Sequence, residues 1–314
     1  RVNESAKYRI AKRAAELVHD GNLILLDDST TAIYMVPHLK KRRNLTIVTN
    51  GVETALALSQ QQVHTVILLG GVMHNNGASV VGPLGESNLS NLRIKMAFLS
   101  CTGFSTELGM THFDLQDAQI KRKMVDSAEQ IIALVDSSKV GKTDLTPFAS
   151  IDRITHLITD DDIQNSVKDD LHKANITITI CGETTISTLA PAGTNNHKHY
   201  QIGFANLTED QSEFAIDVRH GLEEAARKAG NINLIMADNR LDPEVALTIA
   251  DQLVNSDVDL AIEYQIDEQV GGVVSSKFNV AKIPVIAVDI PMVGATYFGV
   301  DNYRSGHMAG TALG

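Results

Sequence analysis

Short apolar runs alternate with helical segments along most of this chain, and that alternation restricts its fold more than any other feature of the sequence. Ahead of the first run, Ile10, Ala14, Leu17 and Val18 recur at helical spacing. The apolar runs of the first part cover residues 23–26, 45–48, 63–69, 95–100, 131–135, 154–158 and 176–180. Because strands that alternate with helices form a largely parallel sheet, we predict an α/β domain over residues 1–182.

The segment 183–199 changes in character, and a second alternation follows it. Thr, Ser, Gly, Asn, Pro and His dominate the segment and no apolar periodicity remains, which predicts a linker. The later apolar runs cover residues 201–205, 232–236, 258–262, 283–288 and 296–300. Between the first two, Phe214, Val218 and Leu222 share one helix face. We therefore predict a second α/β domain over residues 200–314, with a doubly wound parallel sheet.

Composition excludes several classes of protein. The 314 residues are 43% apolar and 21% charged, which is ordinary for a soluble protein, and no apolar run approaches the roughly 20 residues of a membrane span. We therefore expect no membrane partner. Cys101 and Cys181 are far apart and fit no ligand spacing, so we also expect no metal and a reducing, cytoplasmic location. Residues 183–314 carry 8 basic and 18 acidic residues, and this half would repel nucleic acid.

The junction after the first strand is a candidate anion site. Residues 23–26 run directly into Asp27-Asp28-Ser29-Thr30-Thr31, and a helical segment follows. Amides at a helix start, the helix dipole and three adjacent hydroxyl groups together suit a phosphate. An ordinary helix N-cap is the alternative interpretation, because Asp, Ser and Thr are the usual capping residues.

Other strand ends in the first part carry similar small or polar residues, and nearby lysines could supply positive charge. Glycine lets backbone amides approach a ligand, Thr and Asn offer hydrogen bonds, and lysine balances a phosphate charge. The candidates at these strand ends and on the following helix and turn are Thr49, Asn50, Gly70, Gly71, Thr102, Gly103, Lys121 and Lys139. A structural turn is the alternative for each glycine, and a solvated surface position is the alternative for Lys121.

Polar side chains also end the strands of the second part. Ligands of doubly wound sheets bind at the carboxyl ends of the strands. The residues at those ends are Asn206, Asp238, Glu263, Asp289 and Asp301. Such acceptors suit the hydroxyl groups of a sugar better than a phosphate. Helix caps and turns are the alternative, above all for Asp238 and Asp301.

Ordered motifs over residues 5–180 resemble the sugar-phosphate-sensing effector domain of DeoR-family bacterial transcription regulators. The motifs are Asp20-Gly21, the loop 27–31, Thr49-Asn50, Leu69-Gly70-Gly71, Gly82-Pro83, Gly103, Gly109-Met110-Thr111, Lys121 and Asp136-Ser137-Ser138-Lys139-Val140-Gly141. The resemblance implies the fold of ribose-5-phosphate isomerase and the coenzyme A transferases. It also implies a ligand site built from Asp27, Thr30, Thr31, Gly70, Gly103 and Lys121.

One departure from that family falls in the first-strand loop. Asp28 and Ser29 stand where the family usually has Ser and Gly. An added carboxylate disfavours a neighbouring phosphate, and the loss of glycine restricts amide approach. A role of this domain in oligomerisation is therefore the alternative to effector binding.

Residues 200–314 resemble the first lobe of type I periplasmic sugar-binding proteins and the effector domain of LacI-type repressors. The motifs are Ile202-Gly203-Phe204, the helix end 221–226, Asp238, the run 283–289 and Val300-Asp301-Asn302-Tyr303-Arg304-Ser305-Gly306. The resemblance implies sugar contacts from Asn206, Phe214, Glu263 and Asp289. Ile290 and Ala215 replace an Arg and an aromatic residue of some relatives, so a ribose-type contact set is not preserved.

The functional interpretation is a carbohydrate-responsive transcriptional regulator rather than an enzyme. The chain begins at Arg1 and stops at Gly314 within a helical pattern, so we expect a fragment whose winged helix-turn-helix lies upstream. The expected partners are a sugar or sugar-phosphate effector, operator DNA through that upstream domain, and further copies in a homo-oligomer, without a cofactor. Two alternatives stay open. One is a sugar-phosphate isomerase with Asp27, Asp28 or Asp117 as base and Lys121 as electrophile, and the other is a binding or assembly protein without a regulatory role.

Overall fold

The alternating strands and helices divide into two structural units. The computed structural model describes residues 3–164, 167, 168, 170, 171, 174, 176–191, 198–208, 212–265 and 267–313. The first unit comprises Arg1–Glu183 with Leu189–Ala192, and the second comprises Thr184–Thr188 with Gly193–Gly314. Both are α/β units whose large sheets are mainly parallel, as the alternation of apolar runs predicts.

The first unit begins with a helix and then alternates strands and helices. Its α-helices are α1 (Glu4–Glu16), α2 (Thr30–Ile33), α3 (Val36–Leu39), α4 (Val52–Ser59), α5 (Pro83–Leu89) and α6 (Leu115–Ser127). Its strands are β1 (Leu23–Leu26), β2 (Thr46–Thr49), β3 (Thr65–Leu68), β4 (Val72–His74), β5 (Ser79–Val81), β6 (Ile94–Leu99), β7 (Gly103–Ser105), β8 (Gly109–His112), β9 (Ala128–Leu134), β10 (Thr146–Ala149), β11 (His156–Asp160) and β12 (Thr177–Cys181).

The main sheet of the first unit has the order β12-β11-β9-β6-β1-β2-β3, and every neighbouring pair in it is parallel. Each apolar run of the sequence became one of these strands. The sequence did not predict the β4–β5 hairpin or the small antiparallel sheet β10-β8-β7. Their strands of three or four residues are too short for a clear apolar pattern.

Both faces of the central strands of this sheet are buried. Ile24 and Leu26 of β1 join a core on the face that α1 covers, where Ile10 and Ala14 pack, so the predicted helix face is confirmed. Leu25 points to the opposite face and joins the core that includes residues of α6. Successive side chains of a strand alternate between faces, so a strand buried on both sides has to be apolar throughout.

The second unit repeats this architecture. Its strands are β13 (Thr185–Leu189), β14 (Tyr200–Asn206), β15 (Ile232–Asp238), β16 (Leu260–Glu263), β17 (Val285–Val288) and β18 (Thr296–Phe298). Its helices are α7 (Glu213–Ala229), α8 (Pro243–Asn255), α9 (Glu268–Val280) and α10 (Asn302–Leu313). Among the described residues, none of the helices is both long enough and apolar enough to cross a membrane.

The second sheet has the order β18-β17-β16-β14-β15-β13. Its pairs are parallel except for β13, which runs antiparallel to β15. This strand is a difference from the linker expected over residues 183–199. The Thr-Ile-Ser-Thr-Leu sequence of β13 favours an extended strand because three of its residues are β-branched. Residues 192–197 of the expected linker lie outside the described residues.

Two glycines with similar left-handed backbones provide a test of the small sheet. Gly109 (φ +72°) lies where a Cβ atom would sit 2.1 Å from the Ala149 carbonyl oxygen, whereas Gly141 (φ +78°) has open space around it. We expect Gly141→Ala to cost about 1 kcal/mol for its backbone conformation alone. Gly109→Ala should cost about 1–3 kcal/mol more, because β10 has to move. Urea-dependent hydrogen exchange of first-unit peptides measures both, and equal costs would contradict the close approach of β8 and β10.

Candidate functional site

The first sheet changes its direction of strand addition next to β1. Strands β2 and β3 follow on one side of β1, whereas β6 lies on the other side. Ligands of open α/β sheets bind at the carboxyl ends of the strands beside such a switch point. Asp27 follows β1 directly, and its backbone N–H donates to the Phe98 carbonyl oxygen of β6 over 3.2 Å. The loop that the sequence singled out therefore begins at the switch point.

A buried ion pair fixes this junction. Lys121 of α6 donates to the Asp27 carboxylate and, over 3.2 Å, to the Ser100 carbonyl oxygen. The Ser100 backbone N–H donates to Asp27 Oδ2 over 2.7 Å. Asp27 and Lys121 are only 0% and 2% exposed, and Lys121 Nζ also lies 3.5 Å from Asp28 Oδ1. Lys121 therefore reaches the loop as the sequence predicts, but as a partner of its carboxylates.

The pKa of Lys121 depends on burial and on the two carboxylates beside it. Burial acts to lower this pKa, but the Asp27 and Asp28 carboxylates outweigh burial, so the pKa is raised above its ordinary value. The ammonium group consequently stays charged. Two carboxylates compensate this single positive charge.

A second lysine reaches the same place from the turn after β9. Lys139 Nζ donates to Ser100 Oγ over 3.0 Å and lies 3.4 Å from Asp136 Oδ2. Burial acts to raise the pKa of Asp136, but the Ser138 hydroxyl and the Lys139 charge outweigh it, so this pKa is lowered. Ser100 therefore connects both lysines through different atoms. Its place at the end of β6 was apparent from sequence, whereas its contacts were not.

The loop after β1 uses part of its hydrogen-bonding capacity internally. Ser29 Oγ accepts from the Ala32 N–H over 3.1 Å and caps the four-residue helix α2. Ser29 therefore has the N-cap role that the sequence offered as the alternative to phosphate binding. The Ser29 N–H donates to Asp27 Oδ1 over 3.1 Å. Thr30 is exposed, whereas Thr31 is fully buried and its hydroxyl has no hydrogen-bond partner in the described part of the chain.

The loop after β2 lies against the loop after β1. Thr49 Oγ1 accepts from the Gly51 N–H over 3.0 Å, and a Cβ atom on Gly51 would come within 3.0 Å of Asp28 Cα. Gly51 also forms a β-bridge with Ser79 of the β4–β5 hairpin. Asn50 is fully buried. Neither its side-chain nitrogen, nor its side-chain oxygen, nor the buried Ser79 hydroxyl has a hydrogen-bond partner among the described residues.

The remaining candidates of the first unit have structural roles in turns and hairpins. Gly70 and Gly71 lie in the exposed turn between β3 and β4, at the edge of the sheet. Thr102 Oγ1 accepts from the Phe113 N–H over 3.1 Å, and a Cβ atom on Gly103 would meet Thr111 Oγ1 at 2.7 Å. A ligand role for these four candidates stays a prediction.

Two further titratable side chains, Asp117 of α6 and His112 of β8, interact with the charges of this site. Asp117 is 2% exposed and accepts from Asn75 Nδ2 over 2.8 Å. Burial, followed by the Asp28 charge, raises the pKa of Asp117. Burial, followed by the Lys121 charge, lowers the pKa of His112. These electrostatic interactions connect Asp117 and His112 with the charges of the loop after β1.

The second unit has its own switch point, between β14 and β16. Glu263 ends β16 and is 1% exposed, and its Oε1 has no hydrogen-bond partner in the part of the chain described. Burial raises the pKa of Glu263 to about 8, although an interaction with the Asn239 amide acts in the opposite direction. Asn239 was not among the sequence candidates. It follows the β15 strand end, and its burial was not evident from the pattern.

The other sugar-binding candidates of this unit differ in their surroundings. The Asn206 amide donates to the Ala215 carbonyl oxygen over 2.8 Å, and its side-chain oxygen accepts from the Leu207 N–H. Phe214 is 55% exposed and makes an edge contact with Tyr264. Asp289 has a left-handed backbone (φ +59°) and is half-buried. Asn206 thus has an internal structural role, whereas Phe214 is accessible.

Comparison with known proteins assigns the first unit. A family model described as the DeoR C-terminal sensor domain matches residues 2–161, and a periplasmic binding protein domain matches residues 202–314. The first match covers more than half of the chain. The chain belongs to the DeoR family.

Relatives of the DeoR sensor unit are named as transcriptional regulators. An uncharacterized HTH-type transcriptional regulator YulB of Bacillus subtilis is 37% identical over 51% of this chain. The HTH-type transcriptional regulator GolR of Listeria innocua is 32% identical over 57% of this chain and 70% of its own length. The chain spans 61% of the length of the Bacillus protein.

Among solved structures, ribose 5-phosphate isomerase A from Methanocaldococcus jannaschii is 19% identical. It matches 44% of this chain and 55% of its own, with a TM-score of 0.34. A score of this size does not establish a likeness that extends to the site.

The β4–β5 hairpin holds residues of the DeoR sensor unit that sequence reasoning missed, above all Ser79 and Asn75. A usable signal was present, because Asn76-Gly77 is a strong hairpin-turn dipeptide. Asn75, Asn76 and Gly77 all have positive φ in the structure. The flanking runs are too short to be recognised as strands without that signal.

Removing the buried lysine of the DeoR sensor unit should be costly. Lys121→Met leaves the Asp27 carboxylate buried without its cation, so we expect a loss of about 3–5 kcal/mol in the free energy of unfolding. The double variant with Asp27→Asn should lose less than Lys121→Met alone. Lys123→Met, on the exposed side of the same helix, should change stability by less than about 0.5 kcal/mol. Similar losses for both lysines, by urea-dependent hydrogen exchange, would contradict the ion pair.

Glu263 should make the second unit less stable as pH rises. Its pKa is about 8 in the folded unit against 4.5 ordinarily, so the folded state keeps a proton that the unfolded chain releases between these values. Stability therefore decreases with rising pH in this window. Relative to the unmodified protein, Glu263→Gln should gain stability between pH 5 and pH 8. Glu244→Gln, at an exposed position, is the control and should not gain stability over this range. Stability is measured by hydrogen exchange of second-unit peptides, and parallel pH profiles for the two variants would refute this prediction.

Proposed function

We propose that this chain is the effector-binding part of a carbohydrate-responsive transcriptional regulator in the cytoplasm. The names of the relatives support a role in transcription, and the matches to a sensor domain and a periplasmic binding protein domain support small-molecule binding. The effector shifts the populations of homo-oligomeric states that differ in affinity for operator DNA. The chain itself catalyses no reaction.

The DNA-binding element of the proposed regulator is a helix-turn-helix domain that precedes the sensor unit. The Bacillus and Listeria relatives carry HTH in their names and extend beyond the matched region. The acidic excess of residues 183–314 disfavours DNA contact from the second unit. Operator recognition therefore belongs to the upstream domain.

Three buried polar side chains that have no hydrogen-bond partner among the described residues carry the proposal for the site. Thr31, Asn50 and Ser79 lie on three segments that meet beside the β1–β6 switch point. A buried polar group without a hydrogen bond costs about 1–3 kcal/mol, so each one calls for an explanation. Hydroxyl and amide groups are the usual partners of sugar hydroxyls, and an effector that bonds to these side chains recovers the cost.

The effector that we propose for this site is a phosphorylated sugar. Lys139 is 20% exposed and is the more accessible of the two lysines that reach Ser100. Its point charge suits a phosphate. Lys121 acts by holding the Asp27 carboxylate in place, and Asp28 accepts from sugar hydroxyls. The second unit contributes a separate sugar site with Phe214, Asp289 and Glu263.

A thermal-shift screen of free sugars against their phosphates, with unit-resolved hydrogen exchange, tests the assignment. A ligand at 100 times its dissociation constant should stabilise the first unit by about 2.7 kcal/mol. We expect at least one sugar phosphate to do so, without turnover in an isomerase assay. A response of the first unit to free sugars alone would overturn the phosphorylated effector, and no response to either would overturn the site.

Two threonine variants make this test specific to the site. Thr31→Val removes a buried hydroxyl for which the described residues offer no hydrogen-bond partner, so the unliganded fold should keep its stability. Its affinity for the sugar phosphate should fall about three- to tenfold, the value of one hydrogen bond. Thr159→Val is the matched control, because its hydroxyl is also buried and unpartnered in the described chain but belongs to β11, three strands from β1. Equal affinities for the two variants would exclude Thr31 from the site.

A further inference from the structure

His74, Asp114 and Asp117 bring three metal-ligating groups together in the first unit. One nitrogen or oxygen atom from each side chain lies within 4.8 Å of the others. His74 ends β4 in the hairpin, Asp114 caps α6, and Asp117 lies in the first turn of that helix. The group is therefore assembled from two elements that are distant in sequence.

The helix start explains why both carboxylates face the hairpin. Residues three positions apart share a helix face, so Asp114 and Asp117 point the same way. Asp114 Oδ1 caps the helix by accepting from the Gln116 and Asp117 N–H groups over 2.9 and 3.0 Å. Its second oxygen, Oδ2, lies 3.3 Å from His74 Nε2. One carboxylate thus supports the helix and faces the histidine.

Asp117 has an oxygen that the fold does not use. In a capping box, the third residue of the helix accepts from the N–H of the capping residue. Here the Asp114 N–H donates instead to His112 Nδ1 over 3.2 Å. Asp117 Oδ2 accepts from Asn75, whereas Oδ1 has no hydrogen-bond partner in the described chain, although the side chain is 98% buried.

A purely structural role accounts for only part of this arrangement. The His74–Asp114 contact and the Asn75–Asp117 hydrogen bond would attach the hairpin to α6. They leave a buried carboxylate oxygen of Asp117 unsatisfied, which is costly. A cation between the three side chains would satisfy that oxygen and would also bind the His74 imidazole and the Asp114 carboxylate.

We propose that His74, Asp114 and Asp117 bind one divalent transition-metal ion such as Mn²⁺ or Zn²⁺. One imidazole and two carboxylates form a mixed nitrogen and oxygen set that transition metals accept, whereas Mg²⁺ and Ca²⁺ prefer oxygen ligands alone. Three protein ligands leave coordination positions open for water or a small anion. The site does not depend on the proposed effector, because none of its three ligands belongs to the effector contacts.

The site would also change the charge around the switch point. Asp117 interacts electrostatically with Asp28 and Lys121, so a cation bound to it acts on the same loop. The carboxylates of this region outnumber its lysines, and a divalent ion opposes that excess. Occupancy of the site would therefore favour anions at the loop after β1.

Metal binding to the chain, prepared without a histidine tag and treated with chelator, tests the proposal. Titration with Mn²⁺, followed by the electron paramagnetic resonance of free Mn²⁺, and with Zn²⁺ by calorimetry should show one ion per chain and a raised melting temperature. Mg²⁺ should bind at least tenfold more weakly. The absence of saturable binding at one ion per chain would overturn the site.

Three variants each remove a ligand atom and keep one local structural role of the residue. Asp117→Asn keeps an acceptor for Asn75, Asp114→Ser keeps a helix cap, and His74→Gln keeps a polar group in the hairpin. Each should weaken Mn²⁺ and Zn²⁺ binding at least tenfold while circular dichroism stays unchanged. Asp126→Asn, at an exposed position of α6, and His19→Gln, at an exposed position elsewhere, are the matched controls and should bind as the unmodified chain does. Unchanged affinity in Asp117→Asn and His74→Gln would show that the ions bind elsewhere and would overturn the proposal.

Discussion

The buried ion pair between Lys121 and Asp27 is the interaction on which the first unit depends. It joins the end of β1 to α6, and through Ser100 it includes the end of β6. These strands flank the switch point of the sheet, so the pair sets the position of the loop that follows β1. A buried charge without its partner is costly, and this cost ties the loop to the helix.

This pair also determines what the surrounding groups can do. Because Asp27 and Asp28 compensate the charge of Lys121, that lysine contributes less to anion binding than its type suggests. Lys139 is the more accessible of the two lysines that reach Ser100, and Thr31, Asn50 and Ser79 are buried side chains with atoms that have no hydrogen-bond partner within the described ranges. The extra carboxylate at Asp28 also places negative charge near Asp117, and after burial this charge is the largest contribution that raises the pKa of Asp117.

Sequence reasoning succeeded where a pattern is local. The period of the apolar residues identified the main strands and the buried face of α1, and the motif order identified the family. It failed for the β4–β5 hairpin, whose strands have three residues each, and for β13, where β-branched residues lay in a segment rich in turn formers. Some of the site candidates chosen by residue type lie at the switch point and others do not. Lys121 and Lys139 reach the switch point, whereas Thr102 and Gly103 belong to the β7–β8 hairpin.

The sequence by itself determined the two α/β units, the loop after the first strand and the types of side chain available to it, because these follow from short-range periodicity and from the residues present. Only the tertiary structure decided which side chains meet. The pairing of Lys121 with Asp27 over 94 positions, and the meeting of His74 with Asp114 and Asp117, depend on how strands are ordered and how a hairpin folds onto a helix. Local sequence patterns do not predict such contacts, because the packing of the whole unit determines them.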